Sequence, residues 1–229
     1  MLRVWDANNF RRTLAGLCLI AAPLVGLIGA FVGTQYPGSL REELAAISEN
    51  PGGWMISNLL ILISFFLLIP AVLGIVHLLS DHSVTLGHIG GALGLLGLYF
   101  HAAVIGYSLV EVPLTASEIE RTRIIAFTEQ TYYDHTAFTM ILLPFIGFYL
   151  GSIILAIALW RARVVPLWVA VVIVAALVSE FIGPEAWSPQ LMFVLLLIGF
   201  GWIGLKVLRM ADREWEQGAV GGETQARVP

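Results

Sequence analysis

The residues of this chain that could do chemistry are few, and His101 stands apart because it lies within an apolar stretch. Ionisable side chains are costly inside a bilayer, so each one found there is a candidate for function. Ser108 follows His101 on the same face of a helix. An imidazole changes its charge near neutral pH and also binds metals. We therefore expect His101 to head a polar site inside a membrane-embedded bundle.

Further polar side chains lie where neighbouring apolar stretches begin or end. Glu111 closes one stretch, Asp134 and His135 open the next, and Glu180 lies near the end of a third. If the helices alternate in direction, these positions meet at one end of the bundle. Such an outward-facing pocket predicts small-molecule or proton-linked binding or transport. Its candidate residues are His101, Tyr107, Ser108, Glu111, Asp134, His135 and Glu180.

The same groups support a second hypothesis, in which the protein binds a metal or a haem. His101, Asp134, His135 and Glu180 have the ligand chemistry that zinc accepts. Their spacing forms no compact metal motif, and the single cysteine, Cys18, excludes paired cysteine ligands. A haem would need axial ligands on facing helices, and His101 with His135 is the plausible pair. The sequence assigns no cofactor.

Two further interpretations stay open: that the chain is an enzyme, or that it is an accessory or structural subunit. Catalysis would need a nucleophile with a base, or paired carboxylates, and Gly151-Ser152 is too short to count as a nucleophile motif. An enzyme is therefore the less favoured interpretation. An accessory or structural membrane subunit fits the sequence as well. In that case His101 would only bond a carbonyl or hydroxyl of a neighbouring helix.

The candidate residues are positioned by six apolar segments. Hydrophobic residues make up 58% of the 229 residues and charged ones 12%, against about 25% charged in soluble domains. Each segment is close to the ~20 residues that cross the hydrocarbon layer, and spanning backbone must bond within itself as a helix. We predict an all-α polytopic transmembrane bundle. Its spans are Leu14–Gly33, Met55–Leu79, Gly87–Val110, Phe138–Leu159, Val164–Ile182 and Gln190–Leu208.

The lysines and arginines of the short loops predict the orientation, because they concentrate on the cytoplasmic side. With a cytoplasmic N-terminus, the inner flanks hold Arg3, Arg11, Arg12, Arg161, Arg163, Lys206, Arg209 and Arg213. The outer flanks hold Arg41, Arg121 and Arg123. Both termini are therefore expected inside a cytoplasmic (cell) membrane. Residues 1–13 form a cytoplasmic segment, 14–209 the membrane domain and 210–229 a disordered cytoplasmic tail.

The net charge and a glycine-rich helix face predict the kinds of partner that this chain binds. The net charge of −4 argues against a nucleic-acid partner, so the expected partners are the lipid bilayer and a small ligand. Small residues on one face let helices approach closely. The third span therefore predicts either tight packing or a helix-to-helix oligomer through this face. It carries Gly87, Gly90, Gly91, Gly94 and Gly97, and His101 continues the same face.

Three short patterns together resemble a known family. The run Arg12-Thr13-Leu14-Ala15-Gly16-Leu17 opens the first span, and a basic turn, Leu159–Trp168, joins the fourth to the fifth. A Tyr133-Asp134-His135 junction opens the fourth span. The layout resembles a large family of uncharacterised six-helix bacterial membrane proteins, known as a domain of unknown function. The resemblance implies a bacterial inner-membrane protein and brings no activity or catalytic residues with it.

Overall fold

Long apolar runs fold as helices in this chain, because a helix satisfies its own backbone hydrogen bonds without water. The computed structural model describes residues 7–33, 40–114, 118–133, 135–182 and 187–216, and no strand occurs among them. The all-α fold class predicted from the sequence is confirmed at this level. The helices are α1 (Ala7–Val32), α2 (Leu40–Glu49), α3 (Pro51–Leu78), α4 (Val84–Leu114), α5 (Glu118–Tyr133), α6 (His135–Arg161), α7 (Leu167–Ile182), α8 (Ser188–Arg209) and α9 (Asp212–Glu216).

Four of the helices in the described part of the chain are long and apolar enough to cross a membrane. The qualifying stretches are Asn9–Val32, Pro51–Leu78, Val84–Gly106 and Ser188–Arg209. Two further apolar stretches, Ile146–Arg161 of α6 and Leu167–Ile182, are shorter. Apolar helices therefore occur where the sequence predicts all six spans, and four of these meet both the length and the hydropathy of a membrane span over their described residues.

The six apolar helices form a closed ring. Going round it, α1 packs on α3, α3 on α4, α4 on α6, α6 on α7, α7 on α8, and α8 returns to α1. Short connections favour this order, because helices adjacent in sequence become antiparallel neighbours. A continuous hydrophobic core draws on all six. Among its fully buried members are Leu19, Ile75, Leu98, Leu159, Ile173 and Ile203.

Two buried serines fasten α3 to α1. Ser57 Oγ donates a hydrogen bond to the Gly29 carbonyl at 2.9 Å, and Ser64 Oγ donates to the Ala22 carbonyl at 2.7 Å. A hydroxyl in apolar surroundings is costly without a partner, so a backbone carbonyl of the next helix is a favourable acceptor. These bonds fix the register of the first two ring helices.

The glycines of α4 lie against two neighbouring helices: Gly90, Gly94 and Gly97 approach α6 closely, whereas Gly87 and Gly91 lie against side chains at the end of α3. A β-carbon built on Gly97 would be 2.1 Å from the backbone nitrogen of Phe148, and one on Gly151 would be 2.4 Å from that of Gly94. The β-carbon position of Gly147 is 3.0 Å from Gly97 Cα. The packing expected from this face therefore occurs within the chain. An oligomer through this face stays a prediction.

The end of the bundle near residue 210 differs from the prediction of a disordered tail over 210–229. There α9 packs under the ring, and Trp215 is only 3% exposed. His77 Nε2 donates a hydrogen bond to the Trp215 carbonyl at 2.8 Å, and Arg12 pairs with Asp212 at 2.9 Å. The prediction was wrong for this part, because one buried tryptophan leaves no periodic signal. The chain beyond α9 lies outside the described residues.

Replacement of Gly97 by alanine should destabilise the bundle, because the added methyl group meets backbone atoms of α6 that cannot move alone. We expect a loss of about 1–3 kcal/mol, as for overpacked cores. The matched control is Gly94→Ala, whose β-carbon would have no atom within 4 Å. Unfolding in detergent–SDS mixtures, followed by circular dichroism, measures both. Equal stability of the two variants would contradict this account of the α4–α6 contact.

Candidate functional site

His101 lies one turn beyond the closest approach of α4 to α6. Its Nδ1 donates a hydrogen bond to the Gly97 carbonyl at 3.1 Å. Its ring packs against Phe65 of α3, with centroids 5.1 Å apart, and against Phe148 of α6 at 5.2 Å. The imidazole is therefore directed toward neighbouring helices and is held among aromatic rings that are themselves buried.

Tyr149 joins His101 to Glu180. The Tyr149 ring centroid lies 6.4 Å from that of His101. Its hydroxyl donates a hydrogen bond to Glu180 Oε2 on α7. Three ring helices, α4, α6 and α7, thus bring an imidazole, a phenol and a carboxyl group together. We call these three residues the His101 site.

Aromatic rings surround the His101 site on several sides. Phe65 and Phe148 are almost fully buried beside His101 and contact each other edge to face. Phe181, the residue after Glu180, packs edge to face on Tyr149 at 5.1 Å and is 65% exposed. The site is consequently closed by buried rings on one side and bordered by an exposed ring on the other.

This arrangement has definite chemical abilities. A carboxyl group can hold a proton or, as carboxylate, a cation, and an adjacent imidazole can accept or donate a proton. Aromatic faces attract cations through their quadrupole. The Tyr149–Glu180 pair beside His101 can therefore hold or pass on a proton, with aromatic rings packed around it.

Ser108, also a predicted pocket residue, is at a different level. Its hydroxyl donates to the Val104 carbonyl at 3.4 Å, and its own carbonyl accepts from Trp54 Nε1 at 3.4 Å. Two helical turns separate it from His101, which is ~10 Å along the axis. Ser108 therefore bonds within α4 and to α3, away from the His101 site.

The remaining predicted residues cannot be placed by their side chains. Tyr107, Glu111 and His135 have helical backbone, but their side chains lie outside the described part of the structure. Asp134 lies outside the described residues altogether. Of the seven predicted pocket residues, the structure brings His101 and Glu180 together, through Tyr149.

Of the four predicted metal ligands, the structure places His101 and Glu180 near each other, on either side of Tyr149. Within the described ranges, no group of three or more His, Cys, Asp or Glu side chains could hold a metal ion. A zinc site uses three or four protein ligands. A metal or haem site completed by Asp134 or His135 stays a prediction.

Tyr149 is the residue that the sequence analysis missed. It lies near the middle of the predicted span Phe138–Leu159, far from the interfaces where tyrosine is common. A buried tyrosine hydroxyl needs a hydrogen-bond partner. The position of Tyr149 deep within its span therefore predicts a hydrogen-bond partner on a neighbouring helix. Glu180, the acidic residue of the next span, is the natural candidate.

Comparisons with known proteins do not extend this interpretation. No family model matches the chain, and neither curated proteins nor solved structures give a significant match. The resemblance to the six-helix family stays a prediction. The site is therefore interpreted from its own geometry.

Replacement of Tyr149 by phenylalanine should lower stability by about 1–3 kcal/mol, because the half-buried Glu180 loses a hydrogen-bond donor while the packing volume is kept. The control is Tyr99→Phe, since Tyr99 is 71% exposed on α4 and should tolerate the change. Unfolding in detergent–SDS mixtures compares the two variants with wild type. If the Tyr149 variant is as stable as the Tyr99 variant, the link from α6 to α7 is not structural.

Proposed function

We propose that this chain is a six-span protein of the bacterial cytoplasmic membrane that binds or transports a small solute in a proton-linked manner. The observation that carries the proposal is the Tyr149–Glu180 hydrogen bond beside His101, inside a ring of apolar helices. Ionisable groups at such a depth are costly and mark binding sites and proton paths. His101, next to the Tyr149–Glu180 bond, adds a group that can exchange a proton near neutral pH.

The six-span topology is supported by the ring itself. Four members have spanning length, and α6 and α7 close the same ring and contribute to the same core. The lysine and arginine bias favours cytoplasmic termini, with eight residues on the inner flanks against three on the outer. In this orientation Glu180, close to the end of α7, lies toward the outside.

The chemistry of the His101 site favours a small organic cation as the solute. Glu180 supplies one negative charge, and the adjacent Tyr149, with Phe148 packed edge to face on it, supplies an aromatic ring of the kind that attracts ammonium groups. Binding of the cation to the carboxylate releases the proton that the carboxyl group held. His101, next to Tyr149, is a suitable acceptor for a proton moving through the site.

Vesicles containing the purified chain and a trapped pH-sensitive dye test this proposal. Choline and tetramethylammonium serve as probes, because quaternary ammonium ions cannot cross lipid in a neutral form. We expect addition of at least one probe to raise the internal pH as protons leave in exchange. Glu180→Gln should reduce the response about tenfold or more, since the exchangeable charge is lost.

The matched control for Glu180→Gln is Glu49→Gln, which makes the same change at an exposed position of α2. It should respond as wild type does. If the two glutamine variants respond equally, Glu180 is not the exchange site. A wild-type chain that neither moves protons nor gains thermal stability with either probe would overturn the proposed function.

A further inference from the structure

A basic, tryptophan-lined recess lies at the end of the ring where α6 turns into α7, away from the His101 site. It is a shallow, open depression of about 380 Å³ where the turn between α6 and α7 meets the end of α8. Its walls include Trp160, Arg163, Leu167, Trp202 and Lys206, and Glu214 of α9 lies close enough to interact electrostatically with Lys206. We call it the Lys206 recess.

Arg163 lines the recess, and its backbone has the left-handed conformation that is rare for residues other than glycine. The Val164 N–H bonds to the Leu159 carbonyl at 3.0 Å and the Arg163 N–H to the Trp160 carbonyl at 2.9 Å, which closes α6 with a Schellman motif. The residue at its left-handed position is usually glycine. Here it is Arg163, with φ of 57°. The chain thus keeps a guanidinium group where backbone geometry alone favours glycine.

Lys206 supplies a second positive charge from α8. Its Nζ donates a hydrogen bond to the Val164 carbonyl at 2.6 Å and lies 5.8 Å from the centroid of the Trp202 ring. An ammonium group has three N–H donors, so this bond does not exhaust its capacity. The turn that positions Arg163 therefore also positions Lys206, and both charges border one recess.

The outer border of the recess is apolar and exposed. Trp160 is 45% exposed and Leu167 53%, and Trp168 packs edge to face on Trp202 at 6.1 Å. Tryptophan is enriched where membrane-spanning helices meet the headgroup layer. The cationic side chains of the recess match the phosphate headgroup of a phospholipid, and the apolar side chains at its border match the acyl chains.

We propose that the Lys206 recess binds the phosphate headgroup of an anionic phospholipid, with the acyl chains lying along Trp160 and Leu167. Arg163 can bind phosphate oxygens through two parallel N–H groups, and Lys206 adds a point charge. Basic pockets between membrane helices are suited to anionic headgroups. The inference rests on the membrane location in the proposed function and is independent of the His101 site.

Native mass spectrometry of the full chain in detergent tests the proposal, with phosphatidylglycerol and phosphatidylcholine of identical acyl chains as probes. We expect wild type to retain one phosphatidylglycerol in preference to phosphatidylcholine. Arg163→Gly should weaken phosphatidylglycerol binding about fivefold or more, and Arg163→Lys should restore part of it. Glycine suits the left-handed position, so this variant should remain folded.

Controls separate the possible sources of a negative result. Arg213→Gln removes an exposed positive charge of α9, which lies at the same end of the bundle as the recess. This variant should bind phosphatidylglycerol as wild type does. Glu180→Gln should also bind the lipid normally, so failure of the solute site and failure of this site are distinguishable. Equal retention of the two lipids, or unchanged binding by Arg163→Gly, overturns the proposal. Displacement of the lipid by millimolar inorganic phosphate would also overturn it, in favour of a soluble anion.

Discussion

The direct backbone contact between α4 and α6 is the constraint on which the rest of the structure depends. Lipid chains are as apolar as leucine, so helices in a bilayer associate through close packing and hydrogen bonds rather than through the hydrophobic effect. Glycines on both helices allow the approach, and Gly97 meets α6 at Phe148. His101, one turn further along, is thereby brought to the level of Phe148 and Tyr149.

Hydrogen bonds add to close packing at other contacts of the ring. Ser57 and Ser64 each donate to a backbone carbonyl of α1, which is a fixed acceptor. The seam between α6 and α7 differs, because there the bond joins two side chains, those of Tyr149 and Glu180. A side-chain pair that can exchange a proton can also be opened by a competing ligand. The same bond therefore serves both the closure of the ring and the proposed exchange chemistry.

The two proposed sites differ in the sign of the charge that they bind. Glu180 and His101 are proposed to bind a cation, and Arg163 and Lys206, where α6 turns into α7, are proposed to bind an anion. The second arrangement is suited to the anionic lipids of a cytoplasmic leaflet, which attract lysine and arginine. In the proposed orientation, an anchored inner end would leave the outer end accessible to solute.

The sequence by itself identified the helical class, the apolar segments, the glycine face and two of the three residues of the His101 site. These features are local, since the cost of an ionisable group such as Glu180 among apolar residues depends on its own surroundings. Tertiary structure decided which helices are neighbours, and so that Tyr149 bonds to Glu180. It also decided that Trp215 orders α9 and that Arg163 and Lys206 share a recess. Closure of the ring joins residues distant in sequence, and no spacing along the chain encodes that contact.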